Sequence, residues 1–328
     1  MIAIVGAGAM GAALAIVHTR AGSRVALLGT KYDDATIEAC SSGDPHPALG
    51  ITLPSSIRFR RSGQWDADLA DAERIVLAVS SEGLADVVAE CGGARPDAVW
   101  LVATKGWDSA TLRTPSEVIG HDRVVVLAGP ALAPELAMAA PAALVCASRD
   151  TDLAASVAKD LDGVSVAVTD DVAGVEIASA YKNVAAIAVG MCEGLGERQI
   201  ERVHPHRYAN ARATLFSQGL RDMTTLAEAR GGRPETILGL AGSGDLYVTC
   251  LGGRNGAFGR LLGIGETPEQ AHAAIGSTVE GVANTRSALR VAERDGVELP
   301  VARTVDAVLS GRVPAATAIA DAIHAAAG

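Results

Sequence analysis

The chain is poor in lysine, in aromatic residues and in cysteine, and it carries no excess of positive charge. Aromatic side chains make up 3% of its 328 residues. The five cysteines are far apart and form no CxxC pair, which argues against a disulfide framework or a zinc site and indicates a reducing compartment. The net charge of -10 argues against a protein that binds nucleic acid by neutralising its phosphates.

The long apolar runs of the sequence do not predict insertion into a membrane. The first twenty residues are apolar but lack the basic leader of a secretion signal. The apolar stretch 124–148 contains Glu135 and three prolines, which a membrane helix rarely tolerates. With 49% apolar residues and a mean hydropathy of +0.25, we expect a cytoplasmic protein of two packed domains.

Four of the 28 basic side chains are lysines, namely Lys31, Lys105, Lys159 and Lys182. Genomic base composition is enough to explain such a bias on a solvated surface, where arginine and lysine are nearly equivalent. They differ where a side chain must release a proton, because arginine keeps its proton at working pH. The lysines are therefore the first candidates for chemistry, although Lys159 lies on a polar helical face typical of solvated charge.

The pattern of apolar runs predicts an α/β domain at residues 1–169 followed by an all-helical domain at 170–328. Short, continuously apolar runs are typical of buried parallel strands, and helical stretches lie between several of them. The predicted strands are 2–5, 24–28, 74–79, 99–103, 124–128, 143–146 and 164–168. The predicted helices are 10–21, 82–90, 151–161, 173–192, 209–229, 268–275, 280–295, 302–309 and 316–326. The segment 196–208, rich in charged and ring side chains, is predicted to be a loop.

A GxGxxG pattern joins the first predicted strand to the first predicted helix. It comprises Gly6, Gly8 and Gly11, with Ala9 and Met10 before the last glycine. Such glycines allow a tight turn, close approach of a pyrophosphate and helix–strand packing, while the helix N-terminus supplies amide donors. The pattern alone is weak in a chain with 36 glycines, but its place after a strand favours a dinucleotide site over an ordinary turn.

The residues after the second strand bear on which dinucleotide binds. NAD-selective sites usually place an acidic residue there. Here Thr30 and Lys31 come first, and their hydroxyl and ammonium would favour the additional phosphate of NADP, whereas Asp33 and Asp34 follow later. A simply exposed Lys31 is an equal alternative, so NADP and NAD both stay open as the cofactor.

Further motifs lie along both halves of the chain. They are LGITLP at 49–54, TKG at 104–106, AGP at 128–130, YKNVAA at 181–186, GLAGSGDL at 239–246, TCLGGRN at 249–255 and EGV at 280–282. With the GxGxxG pattern, they resemble the NAD(P)-dependent glycerol-3-phosphate dehydrogenase family over nearly the whole chain. The resemblance implies a Rossmann fold, that is a doubly wound, mostly parallel sheet, followed by a helical substrate domain. It also implies a homodimer.

The resemblance assigns roles to individual residues. As catalytic residues it implies Lys182, the general acid–base, with Lys105 and Asp245 beside it. As substrate-binding residues it implies Asn183, Thr249, Gly253, Arg254, Asn255, Gly129 and Ala131. Beyond the glycine loop and the Thr30–Lys31 pair, it implies cofactor contacts from Lys105, Ala133, Arg254 and Glu280.

Ketone reduction explains why a lysine would stand at the centre of this group. The reaction needs a hydride at the carbonyl carbon and a proton at the oxygen, where negative charge develops. A lysine can supply this proton if desolvation and neighbouring cations lower its pKa toward neutrality. The plain alternatives are a snorkelling Lys182, a strand-end charge at Lys105 and a helix cap at Asp245. His204 and His206 flank a proline without further ligands nearby, so we expect no metal site.

The sequence departs from the family pattern where the substrate would be held. Ala131 and Gly253 stand where serine is usual, Gln218 replaces a usual arginine, and an insertion lies near 197–208. We expect reduction of dihydroxyacetone phosphate to sn-glycerol 3-phosphate. A related dehydrogenase of another phosphorylated or carboxylated ketone, and a catalytically silent NADP-binding regulator, stay open as alternatives.

Overall fold

The structure, a computed structural model, describes residues 1–198 and 208–326 of the chain. The chain divides into two compact units, Met1–Val172 and Ala173–Gly328.

The first unit is built on one eight-stranded sheet. Its strands are β1 (Ile2–Val5), β2 (Val25–Leu28), β3 (Arg58–Arg60), β4 (Arg74–Leu77), β5 (Val99–Val102), β6 (Val124–Ala128), β7 (Ala143–Ala147) and β8 (Ser165–Thr169). They lie in the order β3-β2-β1-β4-β5-β6-β7-β8, and neighbours pair in parallel except β6 with β7. The first six strands have the doubly wound Rossmann order, with its switch point between β1 and β4. The predicted fold class is confirmed.

Helices cover both faces of this sheet. They are α1 (Ala9–Arg20), α2 (Asp34–Ser41), α3 (Asp66–Asp71), α4 (Leu84–Glu90), α5 (Pro115–Ile119), α6 (Ala133–Ala137) and α7 (Thr151–Ala158). Alternate residues of β1 enter different cores: Ile2 and Ile4 pack on one side of the sheet, and Ala3 and Val5 on the other. Burial on both faces is the reason why the strands read as continuous apolar runs.

β3 is a strand that the sequence pattern does not predict. It lies at one edge of the sheet, and two of its three residues are arginines. Arg60 Nε lies 2.6 Å from the buried carboxylate of Asp68, and Arg58 Nη1 lies 3.4 Å from it. Charged side chains are common on edge strands, so the apolar pattern that identifies the central strands is missing here.

The described part of the second unit is helical, with no strand among its assigned elements. Its helices are α8 (Val172–Arg198), α9 (Ala209–Ala229), α10 (Pro234–Leu238), α11 (Asp245–Cys250), α12 (Arg254–Ile264), α13 (Pro268–Ile275), α14 (Glu280–Asp295), α15 (Pro300–Leu309) and α16 (Ala315–Ala326). The predicted loop at 196–208 is wrong at its beginning, because residues 196–198 continue α8. Residues 199–207, with His204 and His206, lie outside the described residues.

α8 is the buried central helix of the second unit. Among the described residues it alone is long and apolar enough to cross a membrane, yet 89% of its most apolar window is buried inside the protein. Its burial extends to polar residues, since Lys182 is 5% exposed and Asn183 is 3% exposed. This degree of burial is typical of a core helix.

Glycines let α8 and α12 pack backbone to backbone. A Cβ on Gly194 would lie 2.0 Å from Arg260 O, and one on Gly259 would lie 2.1 Å from Ile187 O. A Cβ on Gly190 or on Gly263 would likewise lie 2.2 Å from a backbone oxygen of the opposite helix. Each helix therefore carries glycines four residues apart on its contact face, and α12 packs against the C-terminal half of α8.

We expect Gly259→Ala to lower the free energy of unfolding by about 2–3 kcal/mol, because its methyl group would overlap a carbonyl that belongs to a helix backbone. Gly256→Ala on the same helix is the control. A Cβ at Gly256 would meet its nearest atom, Thr249 O, at an ordinary 3.6 Å, so its effect should be neutral or stabilising. Urea denaturation measures both. Equal losses for the two variants would contradict the proposed close contact.

His18 is a buried histidine in the first unit. Its Nδ1 lies 3.1 Å from the carbonyl oxygen of Asp160, and the ring is fully buried. Burial lowers the pKa of His18 to about 4, with Arg74 adding to the effect and the Asp160 carbonyl opposing it. The neutral ring is therefore part of the folded state.

Asp222 is a buried carboxyl group in the second unit, and its hydrogen bonds join three helices. Tyr181 Oη donates to its Oδ2 at 2.5 Å, Gln218 Nε2 donates to its Oδ1 at 3.1 Å, and Val301 N donates to Oδ2 at 2.9 Å. Burial raises the pKa of Asp222 to about 6, although these bonds oppose the shift. Gln218 thus contacts Asp222 at the position where an arginine is usual.

Acidification is expected to affect the two units in opposite directions. The pKa of the folded His18 lies below its ordinary value of 6.5, so the first unit loses stability as the pH falls from 6.5 to about 4. The pKa of the folded Asp222 lies above its ordinary value of 3.8, so the second unit gains stability as the pH falls through about 6. Each contribution has a limit of about 3 kcal/mol. Hydrogen exchange of both units at pH 4.5 and 7, corrected for intrinsic rates, measures this.

His18→Gln and Asp222→Asn are the matched controls for this pH dependence. The first should remove the acid-induced loss from the first unit, and the second should remove the gain from the second unit. Parallel changes in both units, unaltered by either substitution, would contradict the assignment.

Candidate active site

The glycine pattern forms the turn between β1 and α1, and the surroundings of each glycine explain it. Gly6 has a φ of +102°, and a Cβ there would lie 2.6 Å from Ala78 O. A Cβ on Gly11 would lie 1.9 Å from Gly6 O, so this glycine permits the helix to pack closely on the turn. Gly8 has nothing within 4 Å of the position of a Cβ, which leaves its backbone open to a ligand.

The N-terminus of α1 fits the pyrophosphate of a dinucleotide. Gly8 is its N-cap and supplies no side-chain hydrogen bond, and the first turn contains no acidic residue. The amides of Ala9, Met10 and Gly11 therefore face no side-chain cap at the positive end of a twelve-residue helix. This end lies beside the switch point of the sheet, where doubly wound proteins bind nucleotides.

The end of β2 carries a carboxylate as well as the predicted hydroxyl and ammonium. Asp33 Oδ2 accepts hydrogen bonds from Thr30 N at 2.9 Å and from Thr30 Oγ1 at 2.7 Å. Lys31 is exposed, and its Nζ lies 5.2 Å from the centre of the Tyr32 ring. Asp33 comes three residues after Thr30 in the sequence, but a turn that the sequence pattern does not predict brings its carboxylate back to Thr30.

Several predicted residues line one narrow cavity of the first unit. Met10, Lys105, Gly129 and Ala131 meet there with apolar side chains from α1, β6 and β7, around a volume of about 20 Å³. Gly129 has a φ of +112°, and a Cβ there would lie 3.0 Å from Ala143 O. Ala133, also predicted, is the first residue of α6 and is buried. The segments that follow β5 and β6 thus bring Lys105, Gly129 and Ala131 together with Met10.

Lys182 and Asp245 form a buried ion pair in the second unit. Lys182 Nζ lies 2.5 Å from Asp245 Oδ1, and the two side chains are 6% and 2% exposed. Lys182 is therefore not a snorkelling surface residue. Asp245 is not the N-cap of α11 either, since Gly244 holds that position. A buried ammonium fixed by a carboxylate is suited to moving a proton at a defined place.

A π-helical turn at Leu240–Gly244 leads directly into α11 and places Asp245 at its first position. A Cβ on Gly242 would lie 2.0 Å from Ile237 O, so this turn needs glycine. Such turns are frequent at functional sites. Thr249, one turn later, donates from Oγ1 to Asp245 O at 2.6 Å, so its hydroxyl is held by the helix.

Two asparagines connect α8, α12 and α14. Asn255 Nδ2 donates to Asn183 Oδ1 at 2.9 Å, and Asn255 Oδ1 accepts from Gly281 N at 2.8 Å. Asn183 Nδ2 donates to Glu280 Oε2 at 3.2 Å. Three of the predicted residues are thus joined in one network, whereas Gly281 is a partner that the sequence argument does not include.

The first turn of α12 lies next to this network and has no side-chain cap. Gly253 is its N-cap, Arg254 is its exposed first residue, and no side chain caps it. A Cβ on Gly253 would lie 2.9 Å from Thr249 O. The usual serine has no room in this short loop, which gives a physical reason for the departure at Gly253.

The described residues contain no group of three or more histidine, cysteine or acidic side chains that could hold a metal ion. The predicted residues form two sets, one in each unit. The first lies at the glycine loop and the ends of β2, β5 and β6, and the second comprises the buried Lys182–Asp245 pair and the uncapped first turn of α12.

Comparison with known proteins gives consistent similarities. Residues 1–154 and 171–320 match the sequence profiles of the NAD-dependent glycerol-3-phosphate dehydrogenase N-terminus and C-terminus. A glycerol-3-phosphate dehydrogenase (NAD(P)+) of Thiobacillus denitrificans is 36% identical over 97% of this chain and 96% of its own length. That of Pseudoalteromonas translucida is 35% identical over 94% and 92%. The crystal structure of glycerol-3-phosphate dehydrogenase from Coxiella burnetii has a TM-score of 0.86 at 30% identity, covering 98% of this chain and 97% of that chain.

Proposed function

The chain belongs to the NAD-dependent glycerol-3-phosphate dehydrogenase family, and from this membership we propose that it reversibly reduces dihydroxyacetone phosphate to sn-glycerol 3-phosphate with NADH or NADPH. The observation that carries the proposal is the buried Lys182–Asp245 pair, in the same unit as the uncapped first turn of α12. Together they offer a proton donor and a phosphate site, which are the two protein groups that reduction of a ketone phosphate needs.

Lys182 is proposed to be the general acid. The reduced nicotinamide supplies the hydride when it is bound. As negative charge develops on the carbonyl oxygen, Lys182 Nζ gives a proton to that oxygen, and in the reverse direction it takes the proton from the alcohol. Asp245 holds the ammonium by the 2.5 Å contact and so fixes the position from which the proton leaves.

The first turn of α12 is proposed to hold the substrate phosphate. Arg254 supplies a permanent positive charge with a planar set of donors, which suits a phosphate. The free amides and the positive dipole end of the helix attract the same group. Asn183 and Asn255 are hydrogen-bonded to each other, and Asn255 also accepts from Gly281 N. We therefore propose that they position this turn against α8, in addition to contacting the substrate.

The first unit is proposed to be the dinucleotide-binding domain, corresponding to the predicted range 1–169, and the helical unit the substrate domain, 170–328. Gly6, Gly8 and the first turn of α1 would hold the pyrophosphate. Lys105, which lines the cavity with Met10, stays a predicted catalytic residue, and Glu280 a predicted cofactor contact.

We expect the two charged residues beyond β2 to influence cofactor preference in opposite directions. Lys31→Ala should lower kcat/KM for NADPH about tenfold and leave kcat/KM for NADH unchanged, because only NADPH has an additional phosphate for the ammonium. Asp33→Asn should raise kcat/KM for NADPH, because its carboxylate lies within the same turn. Steady-state kinetics with both cofactors measure this. Equal changes for NADH and NADPH would contradict it.

A rate matrix of two cofactors against several ketones tests the proposed function. We expect the highest kcat/KM with dihydroxyacetone phosphate. A clear preference for another keto phosphate or a keto acid would instead identify a related dehydrogenase. The departures from the family pattern at Ala131 and Gly253 are the reason for testing this alternative. Tight binding of NADPH with no ketone reduced would identify a regulator.

A homodimer and a cytoplasmic location are also proposed. Tyr247 in α11 and Leu251, the residue that follows this helix, are 61% and 64% exposed, and Leu238 is 65% exposed. Exposed apolar side chains of this size are common where subunits meet. Analytical ultracentrifugation should give twice the chain mass, and a monomer at micromolar concentration would contradict the dimer.

A further inference from the structure

His46 is a buried histidine that the proposed reaction does not use, yet it contacts the glycine loop. It is 1% exposed and lies in the segment between α2 and β3. Its Nε2 lies 2.9 Å from the carbonyl oxygen of Ala7, between Gly6 and Gly8 of the loop. A side chain 39 positions further along the chain thus holds the peptide group at the centre of the GxGxxG turn.

The other ring nitrogen determines which tautomer His46 adopts. Ala48 N and Leu49 N both point at Nδ1, at 3.2 Å and 3.3 Å. Two amide donors require Nδ1 to be the acceptor, so the proton must be on Nε2. Nε2–H therefore donates to Ala7 O. Leu49 N also donates to the His46 carbonyl oxygen at 3.1 Å, so Ala48 N and Ala7 O together set the tautomer.

Ala7 is held from its amide side as well. Asp33 Oδ2 accepts from Ala7 N at 3.3 Å while it binds Thr30. Both groups that hold Ala7 come from the chain after β2. The buried alanine itself contributes only its backbone, since it is 1% exposed and has no polar side chain.

Fixing Ala7 O also fixes the direction of Gly8 N–H. The peptide between Ala7 and Gly8 is planar and trans, so its carbonyl and its N–H point in opposite directions. With the carbonyl directed at His46, the Gly8 amide is directed away from the protein interior. Gly8 is exposed, and the space around its Cβ position is open.

We propose that His46 is a positioning residue for the cofactor, which orients the Gly8 amide toward the pyrophosphate by donating from Nε2 to Ala7 O. The proposal rests on the proposed cofactor site at the glycine loop. Without this donor, the Ala7–Gly8 peptide can rotate, and the amide is no longer fixed for an incoming anion. The affinity for the dinucleotide should fall, whereas proton transfer at Lys182 should not change.

Replacing His46 with glutamine or with asparagine tests the roles of its two ring nitrogens separately. Glutamine can place its Nε2 donor near that of His46 and keep the bond to Ala7 O, but it offers no acceptor at the position of Nδ1. Asparagine can place its oxygen near Nδ1 and keep the bonds to Ala48 and Leu49, but it cannot reach Ala7. We expect His46→Asn to raise the Kd and the KM for NADH roughly tenfold, and His46→Gln to stay within about twofold of the unaltered protein.

The measurements are NADH binding by fluorescence titration, and kcat and both KM values by steady-state kinetics. In His46→Asn, kcat and the KM for the ketone at saturating cofactor should stay unchanged. His46 also lies in a turn over residues 46–51, in which His46 N donates to Ile51 O and Gly50 N donates to His46 O, each at 2.8 Å. If His46 acts only by holding this turn through Nδ1, the order reverses and His46→Gln is the weaker binder. That result, or equal affinity in both variants, overturns the proposal.

Two further results separate this proposal from the proposed function and from misfolding. If the unaltered protein binds neither NADH nor NADPH, the proposed function fails, and the role of His46 fails with it. If both variants unfold, nitrogen-15 NMR of the imidazoles in the unaltered protein decides. A proton on Nε2 of His46 supports the proposal, and a proton on Nδ1 overturns it.

Discussion

Replacing Lys182 with methionine is expected to lower kcat for reduction of dihydroxyacetone phosphate by about 10³-fold to 10⁴-fold, with NADH binding unchanged. The loss corresponds to removal of a positioned general acid, whose contribution is typically about 10²-fold to 10⁴-fold. The upper part of that range is expected because Lys182 is 5% exposed and held by Asp245 at 2.5 Å, so water cannot easily take its place. Single-turnover and steady-state rates measure the change.

Three matched variants show whether the proton or the charge matters. Lys182→Arg keeps a cation opposite Asp245 but cannot release a proton at working pH, so it should be nearly as inactive as Lys182→Met. Lys182→Met with Asp245→Asn also removes the buried carboxylate charge that Lys182 balances, so it should recover stability without recovering kcat. Lys159→Met changes an exposed lysine and should leave kcat unaltered. Substantial activity in Lys182→Arg would contradict the general-acid assignment.

Elements with local signals could be predicted from the sequence. α9, α13 and α14 begin and end where the pattern places them. For α13 the reason is visible: Thr267 Oγ1 accepts from Gln270 N at 3.3 Å at its start, and Gly276 adopts a φ of +64° at its end. Caps and glycine stops act over a few residues, so the sequence displays them directly.

Features that depend on contacts between distant residues could not be predicted in the same way. Asn183 and Asn255 are 72 positions apart, and nothing in the local sequence of either identifies the other as its partner. Asp33 is three positions beyond Thr30, and a tight turn that the residue pattern does not display returns its carboxylate to Thr30. The glycine contact of α8 with α12 is an intermediate case, since the four-residue spacing of Gly190 and Gly194 is visible once a partner helix is considered.

Replacing Arg254 with methionine is expected to raise the KM for dihydroxyacetone phosphate and to lower kcat/KM by about 10²-fold to 10³-fold. One or two hydrogen bonds from a guanidinium to a phosphate are lost, each worth about 1.5–3 kcal/mol, while the amides of α12 remain. Arg254→Lys keeps the charge without the planar set of donors and should show an intermediate loss. Unphosphorylated dihydroxyacetone is the control substrate, because its slow reduction should be equal in all three proteins. If Arg254→Met affects both ketones alike, Arg254 acts on the hydride acceptor or the cofactor, and the phosphate site must lie elsewhere.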